Sequence, residues 1–184
     1  MCRLCGEREE TVSHLSTECK KLAQKQYKTW RHDQVAKVVH WKLCQNYDLQ
    51  CNDTLYNHSP EAVMENDEVK LLRDFRIQTD HQLDHNRPDI VVFEKAGRVC
   101  HIIDVACPFD TRIAEKEQEK IDHYQDLQTE IQEMWNCRSV SVIPVVVGAL
   151  GAVTKTLMMW IAKIGTPGIF NLLQKACCWA QEES

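Results

Sequence analysis

Two aspartates, Asp89 and Asp104, stand with fourteen residues between them, each attached to a short β-rich run, Ile90 to Phe93 and Val99 to Val105. Lys95-Ala96-Gly97-Arg98 separates the runs and supplies a turn residue in Gly97, so a hairpin is the simplest reading. A two-residue or a four-residue loop has the same midpoint. Paired residues then have numbers summing to 193, and Asp89 falls opposite Asp104. A three-residue loop would shift the register by one and turn the two carboxylates to opposite faces. In the favourable register the Cβ atoms lie about 5 Å apart, where like charges repel unless a cation stands between them. Hard oxygen ligands suit Mg²⁺ or Mn²⁺, and such a pair activates water against a phosphodiester. A third group comes from the helix expected after Pro108, where Asp110 or Thr111 can cap and Ile121, Tyr124, Leu127, Ile131 and Met134 form an apolar stripe. Lys120 lies beside that stripe near the helix N-terminus, placed to stabilise charge on a phosphate, and Lys116 one turn earlier competes for the role.

A second constellation opens the chain. Cys2, Cys5, His14 and Cys19 follow C-x2-C-x8-H-x4-C, which supplies three thiolates and an imidazole for tetrahedral Zn²⁺. Residues 1–20 have almost no apolar content, so metal binding would be their folding energy.

Two acids and a lysine around a hairpin resemble the PD-(D/E)xK, or restriction-endonuclease-like, nuclease pattern. Ala106 stands where that pattern wants lysine, so Lys120 would take over from the helix. Arg87-Pro88-Asp89, Asp104 and the segment Lys120 to Tyr124, preceded by the Cys/His unit, resemble the C-terminal region of non-LTR retrotransposon polyproteins that carry a restriction-like endonuclease. The Val-rich run followed by Gly148-Ala149-Leu150-Gly151 extends the resemblance.

The resemblance implies an α/β fold, with a mixed central sheet flanked by helices, behind a CCHC zinc knuckle. It implies a Mg²⁺-dependent (or Mn²⁺-dependent) endonuclease that nicks target DNA, with Asp89 and Asp104 holding the metal and Lys120 stabilising charge. Arg3, Lys20 and Lys21 on the knuckle and Arg87 beside the first aspartate are the candidate nucleic-acid contacts, and retroelement RNA is a second partner. A nuclear location, reached after synthesis in the cytoplasm, follows from the same resemblance. In that family a reverse transcriptase precedes these units, whereas this chain starts within one residue of the first zinc ligand. The alternative is therefore a non-catalytic, zinc-dependent nucleic-acid-binding remnant or a domesticated retroelement protein.

The elements that must position these residues divide into residues 1–20 (knuckle), 21–49 (helical segment), 50–69 (linker without periodicity) and 70–184 (nuclease core). Within the helical segment, expected from Leu22 to Tyr47, Arg31-His32-Asp33 reads more simply as a capped helix start than as a catalytic cluster, with Asp33 a remote candidate acid. Lys70 to Thr79 is the expected first strand. His81 and His85 precede the first aspartate in a loop and read as solvated. Val140 to Val147 is apolar throughout, as a central strand buried on both faces would be. Gly148 and Gly151 lack the lysine and spacing of a phosphate-binding loop and read as a tight strand-to-helix turn. Thr154 caps the next helix, Gly165 to Gly168 ends it, and a last helix runs from Ile169 to Trp179, where Cys177 and Cys178 read as packing residues.

Length and charge bound the rest. The 184 residues suit one ordinary core with an appendage; that core needs no staples and the first three of the ten cysteines have metal spacing, which argues for a reducing compartment rather than a secreted scaffold. No signal peptide or membrane span is legible, and no sequence feature sets an oligomeric state. The net charge is −5, but residues 1–47 carry nine basic against five acidic side chains, and the remainder thirteen against twenty-two. The positive end is thus the better candidate for phosphate contact.

Overall fold

In the computed structural model, residues 1–21 and 28–178 are described. The expectations at Leu22 to Tyr27 and at Trp179 lie outside them. The strands are β1 (Val63–Glu65), β2 (Val69–Arg73), β3 (Ile90–Glu94), β4 (Val99–Ala106) and β5 (Ser139–Val146); the helices are α1 (Lys28–Asn46), α2 (Ile113–His123), α3 (Gln125–Met134), α4 (Lys155–Lys163) and α5 (Phe170–Cys178). They form an α/β structure with one mixed sheet in the order β1-β2-β3-β4-β5. The first four strands are antiparallel neighbours, and β5 returns through α2 and α3 to pair parallel with β4.

Alternation along the strands builds two cores. Leu71, Ile90, Val92, Ile103, Val105, Ile143 and Val145 face one way, against Val35, Val39 and Leu43 of α1, Leu157 and Ile161 of α4 and Leu173 of α5. Leu72, Val91, Cys100, Ile102, Val140 and Val142 face the other way, against Tyr124, Leu127 and Ile131. Each fully buried aliphatic side chain is worth about 1.5–3 kcal/mol, so α1 is part of the sheet's own core rather than an appendage to it.

Several sequence expectations change in detail. The segment 50–69, read as a linker, contributes β1 and the first residue of β2. The first long strand ends at Arg73, and residues 74–89 run irregularly to β3. The hairpin keeps the expected register, Ile90 opposite Ile103 and Glu94 opposite Val99, across a four-residue loop. Its left-handed position falls on Arg98 (φ 49°) and not on Gly97. The helix after Pro108 is a 3-10 turn, Asp110–Arg112, followed by α2 and α3, which break at Tyr124. Neither Asp110 nor Thr111 caps α2. Asp110 instead accepts a hydrogen bond from Leu150 N (3.1 Å), and Gly148 lies so close that a Cβ there would stand 2.0 Å from Asp110 Oδ1. The tight turn is therefore a docking point between the end of β5 and the start of α2. Thr154 caps α4 through Leu157 N, as expected.

β5 is the last strand in the order, not a central one. It reads as fully apolar because α3 covers one face and α4 the other. Pro144 is the sequence signal for this, since proline is tolerated on a strand whose outer edge needs no donor. Among the described residues no helix is long and apolar enough to cross a membrane.

Candidate functional site

Asp104 lies inside β4 on the sheet face that carries Cys100 and Ile102, and Asp89 directly precedes β3 on the face that carries Val91. The register of the β3–β4 pair, continued by one residue, sets the two aspartates opposite each other. Asp104 is 3% exposed. Its Oδ1 accepts a hydrogen bond from the Tyr124 hydroxyl (2.9 Å), and its Oδ2 is in contact with the Lys120 ammonium. Asp89 Oδ2 accepts from Val105 N (2.7 Å) and faces His32 Nε2 (2.9 Å).

The break between α2 and α3 matters here. It sets Lys120 in the last turn of α2, not near a helix N-terminus as expected, and puts Tyr124 at the junction, where its hydroxyl reaches Asp104. Lys116 is paired with Glu119 on the same helix and makes no ion pair with either aspartate.

Electrostatics separate the two carboxylates. Burial pushes the Asp104 carboxyl up to about 6, the Asp89 charge adds to this, and Lys120 and Tyr124 pull the other way. Burial also acts to raise Asp89. The His32 hydrogen bond and charge, the Val105 N–H and the Lys120 charge outweigh it and hold Asp89 below the ordinary carboxylate value. Burial would lower His32, yet Asp89 and then Asp33 (3.1 Å from Nδ1) raise it to about 9. Two acids driven apart in pKa within one site mark a place where charge is handled. Both are carboxylates, hard oxygen donors of the kind that suits a divalent cation.

A cleft of about 500 Å³ opens beside this pair. His32, Cys107, Arg112, Lys116 and Lys120 line it, together with Ser13 and Glu18 of the knuckle. The knuckle is joined to α1 by Arg31 Nη1, which donates to Ser16 O (3.0 Å).

No protein-family model and no curated protein matches this chain. What the site can do is therefore read from its own groups.

At the N-terminus, Cys2, Cys5, His14 and Cys19 bring one ligand atom each within 4.8 Å of one another. Cys2 and Cys19 Sγ are 3.9 Å apart and Cys5 Sγ is 3.2 Å from His14 Nε2, close to the edges of a tetrahedron with metal–sulfur bonds of about 2.3 Å. The backbone N–H of Cys5 draws the Cys2 thiol down to about 6, toward the thiolate a metal requires. Gly6, at φ +70°, supplies the left-handed residue that closes this turn. The four residues can hold zinc.

The expected phosphate contacts are less concentrated. Arg3 pairs with Glu10, Lys20 with Glu7 and Arg87 with Asp74, and none of these four residues, Lys21 included, lines the cleft. Arg112 and Lys116 line it instead. Of the loop histidines, His81 pairs with Glu130 and His85 stacks on His123 at 3.4 Å between ring centroids, so neither is merely solvated. Cys177 is buried in the core, as read. His32, expected as part of a capped helix start, lies inside α1 and meets Asp89, and its neighbour Asp33 reaches Asp89 only through it. An Arg-His-Asp run at the start of a helix was the available signal, and only its distance in space from Asp89 gives that run a role.

Proposed function

We propose that this chain is a metal-dependent DNA endonuclease with a restriction-endonuclease-like core, as its resemblance to the C-terminal region of non-LTR retrotransposon polyproteins implies. The carrying observation is that Asp89 and Asp104 share one sheet face on adjacent strands while Lys120 reaches Asp104 from α2. Asp89 and Asp104 would hold Mg²⁺ or Mn²⁺, which supplies Lewis-acid activation of water and of the phosphodiester. Asp104 is raised first by burial and then by the Asp89 charge, and a bound divalent cation would offset the second of these.

The other groups have roles that follow from their partners. Lys120 offers an ammonium at the cleft wall, where charge develops on the phosphoryl oxygens. Tyr124 and the Val105 N–H fix the orientation of one carboxylate each. His32, an imidazolium while paired with Asp89, is a positioning residue and not a general base. The cleft, lined by Arg112, Lys116 and Lys120, would take a phosphate backbone, and the knuckle beside it would grip DNA or retroelement RNA through zinc-ordered backbone and basic side chains.

The test is nicking of supercoiled plasmid by the full chain in Mg²⁺. Asp89→Ala and Asp104→Ala should each lower the rate at least about 10²-fold with unchanged near-ultraviolet circular dichroism. Nicking at the same rate in both variants would end the nuclease reading.

A second reading is favoured by one observation. Each aspartate already has a protein cation of its own, His32 for Asp89 and Lys120 for Asp104. A zinc-dependent nucleic-acid-binding protein with a silent core would look the same. It predicts no nicking by the intact chain and DNA binding that survives Asp89→Ala but is lost in Cys5→Ser.

A further inference from the structure

α1 carries a second cluster that neither the hairpin nor the knuckle uses. His40 and Cys44 lie four residues apart on one face of the helix, and His58 meets them from the irregular segment between α1 and β1. All three are buried, His40 and Cys44 completely and His58 at 4% exposure. Their ligand atoms lie within 4.8 Å of one another. His40 Nδ1 is 2.9 Å from His58 Nε2 and 3.5 Å from Cys44 Sγ.

These contacts fit a metal better than they fit a plain core. A tetrahedral zinc with bonds of about 2.0–2.1 Å to nitrogen and about 2.3 Å to sulfur sets nitrogen and sulfur about 3.6 Å apart, and two nitrogens about 3.3 Å apart. The His40–Cys44 separation already matches, and the two imidazoles need to part by only a few tenths of an ångström. A fully buried histidine normally satisfies both ring nitrogens, whereas His40 Nε2 makes no hydrogen bond. With the ring proton carried on Nε2, the Nδ1 lone pair faces His58 and Cys44, as it would in a histidine ligand. The Met64 thioether borders the cluster, 3.6 Å from Cys44 Sγ.

We infer that His40, Cys44 and His58 form a second zinc site, separate from the N-terminal knuckle, that staples the segment before β1 onto α1. Residues 47–62 contain no helix or strand, and His58 lies on a turn closed by its N–H to Leu55 O (3.2 Å). A metal there supplies what the segment lacks in backbone pairing. It acts on the same helix that holds His32 against Asp89. Binding releases the Cys44 proton and leaves a thiolate on zinc beside two neutral imidazoles.

The experiment is zinc stoichiometry of the full chain, loaded with Zn²⁺ alone and weighed by native mass spectrometry. Two equivalents are expected. The double variant Cys2→Ser, Cys5→Ser should retain one, as should His58→Gln, whose change lies in a loop and spares the helix. Combining all three should leave none. In the Cys2→Ser, Cys5→Ser background, Co²⁺ should give a tetrahedral visible spectrum with single-thiolate charge transfer that Cys44→Ser abolishes and Cys51→Ser leaves. One equivalent in the parent chain, falling to zero in the knuckle variant, would overturn the inference. So would a Co²⁺ spectrum unchanged by both Cys44→Ser and His58→Gln.

Discussion

His32 Nε2 lies 2.9 Å from Asp89 Oδ2, joining the first turns of α1 to the end of the hairpin across fifty-seven residues of chain. His32 is raised to about 9, so its proton contributes stability that is complete below the unfolded value of 6.5 and is lost as pH rises through 9. Asp89, held low, is ionised throughout that window and adds no slope of its own. The imidazole is a third exposed, so the loss is on the order of 1–2 kcal/mol after solvent screening. Urea unfolding between pH 6.5 and 9, without added divalent cation, should show this decline, and His32→Gln should flatten it. An equal slope in the variant would place the titration elsewhere.

Lys120 and Lys116 stand one turn apart but have different partners, Asp104 and Glu119. Lys120→Met should lower plasmid nicking by about 10²-fold or more, and Lys116→Met by only a few-fold. Equal losses would assign the role to their combined charge at the cleft wall. Rates at two salt concentrations separate these outcomes, because a bulk charge effect is strongly salt-dependent.

The knuckle should matter for binding before it matters for chemistry. Cys5→Ser removes one of four ligands, so zinc bound at that site should be lost and DNA affinity should fall at least about tenfold, or about 1.4 kcal/mol. Fluorescence anisotropy on a labelled duplex measures this. Undiminished affinity would shift the DNA contact to Arg112, Lys116 and the cleft.

Gly148→Ala is expected to destabilise the fold by about 1–3 kcal/mol. The added methyl would stand 2.0 Å from Asp110 Oδ1 and 3.1 Å from Ala152 Cβ, forcing Asp110 away from Leu150 N. Asp110→Ala should cost less alone and should make Gly148→Ala milder when combined. A strictly additive double variant, measured by chemical denaturation, would refute that coupling.

The amino-acid sequence determined the parts of this protein that depend on short separations. Hairpin register follows from a loop midpoint and a side-chain period of two, so the sequence alone sets Asp89 opposite Asp104. The Cys2-Cys5-His14-Cys19 spacing likewise needs only about twenty residues to close on a metal. Tertiary structure decided what depends on distant segments meeting. His32 and Asp89, like His40 and His58, are brought together by where α1 packs, and that packing follows from burying its apolar face against β2 to β5. The edge position of β5 and the helix break at Tyr124 belong to the same class. Local spacing says which way a side chain points along its own element; only the buried contacts between elements say what it points at.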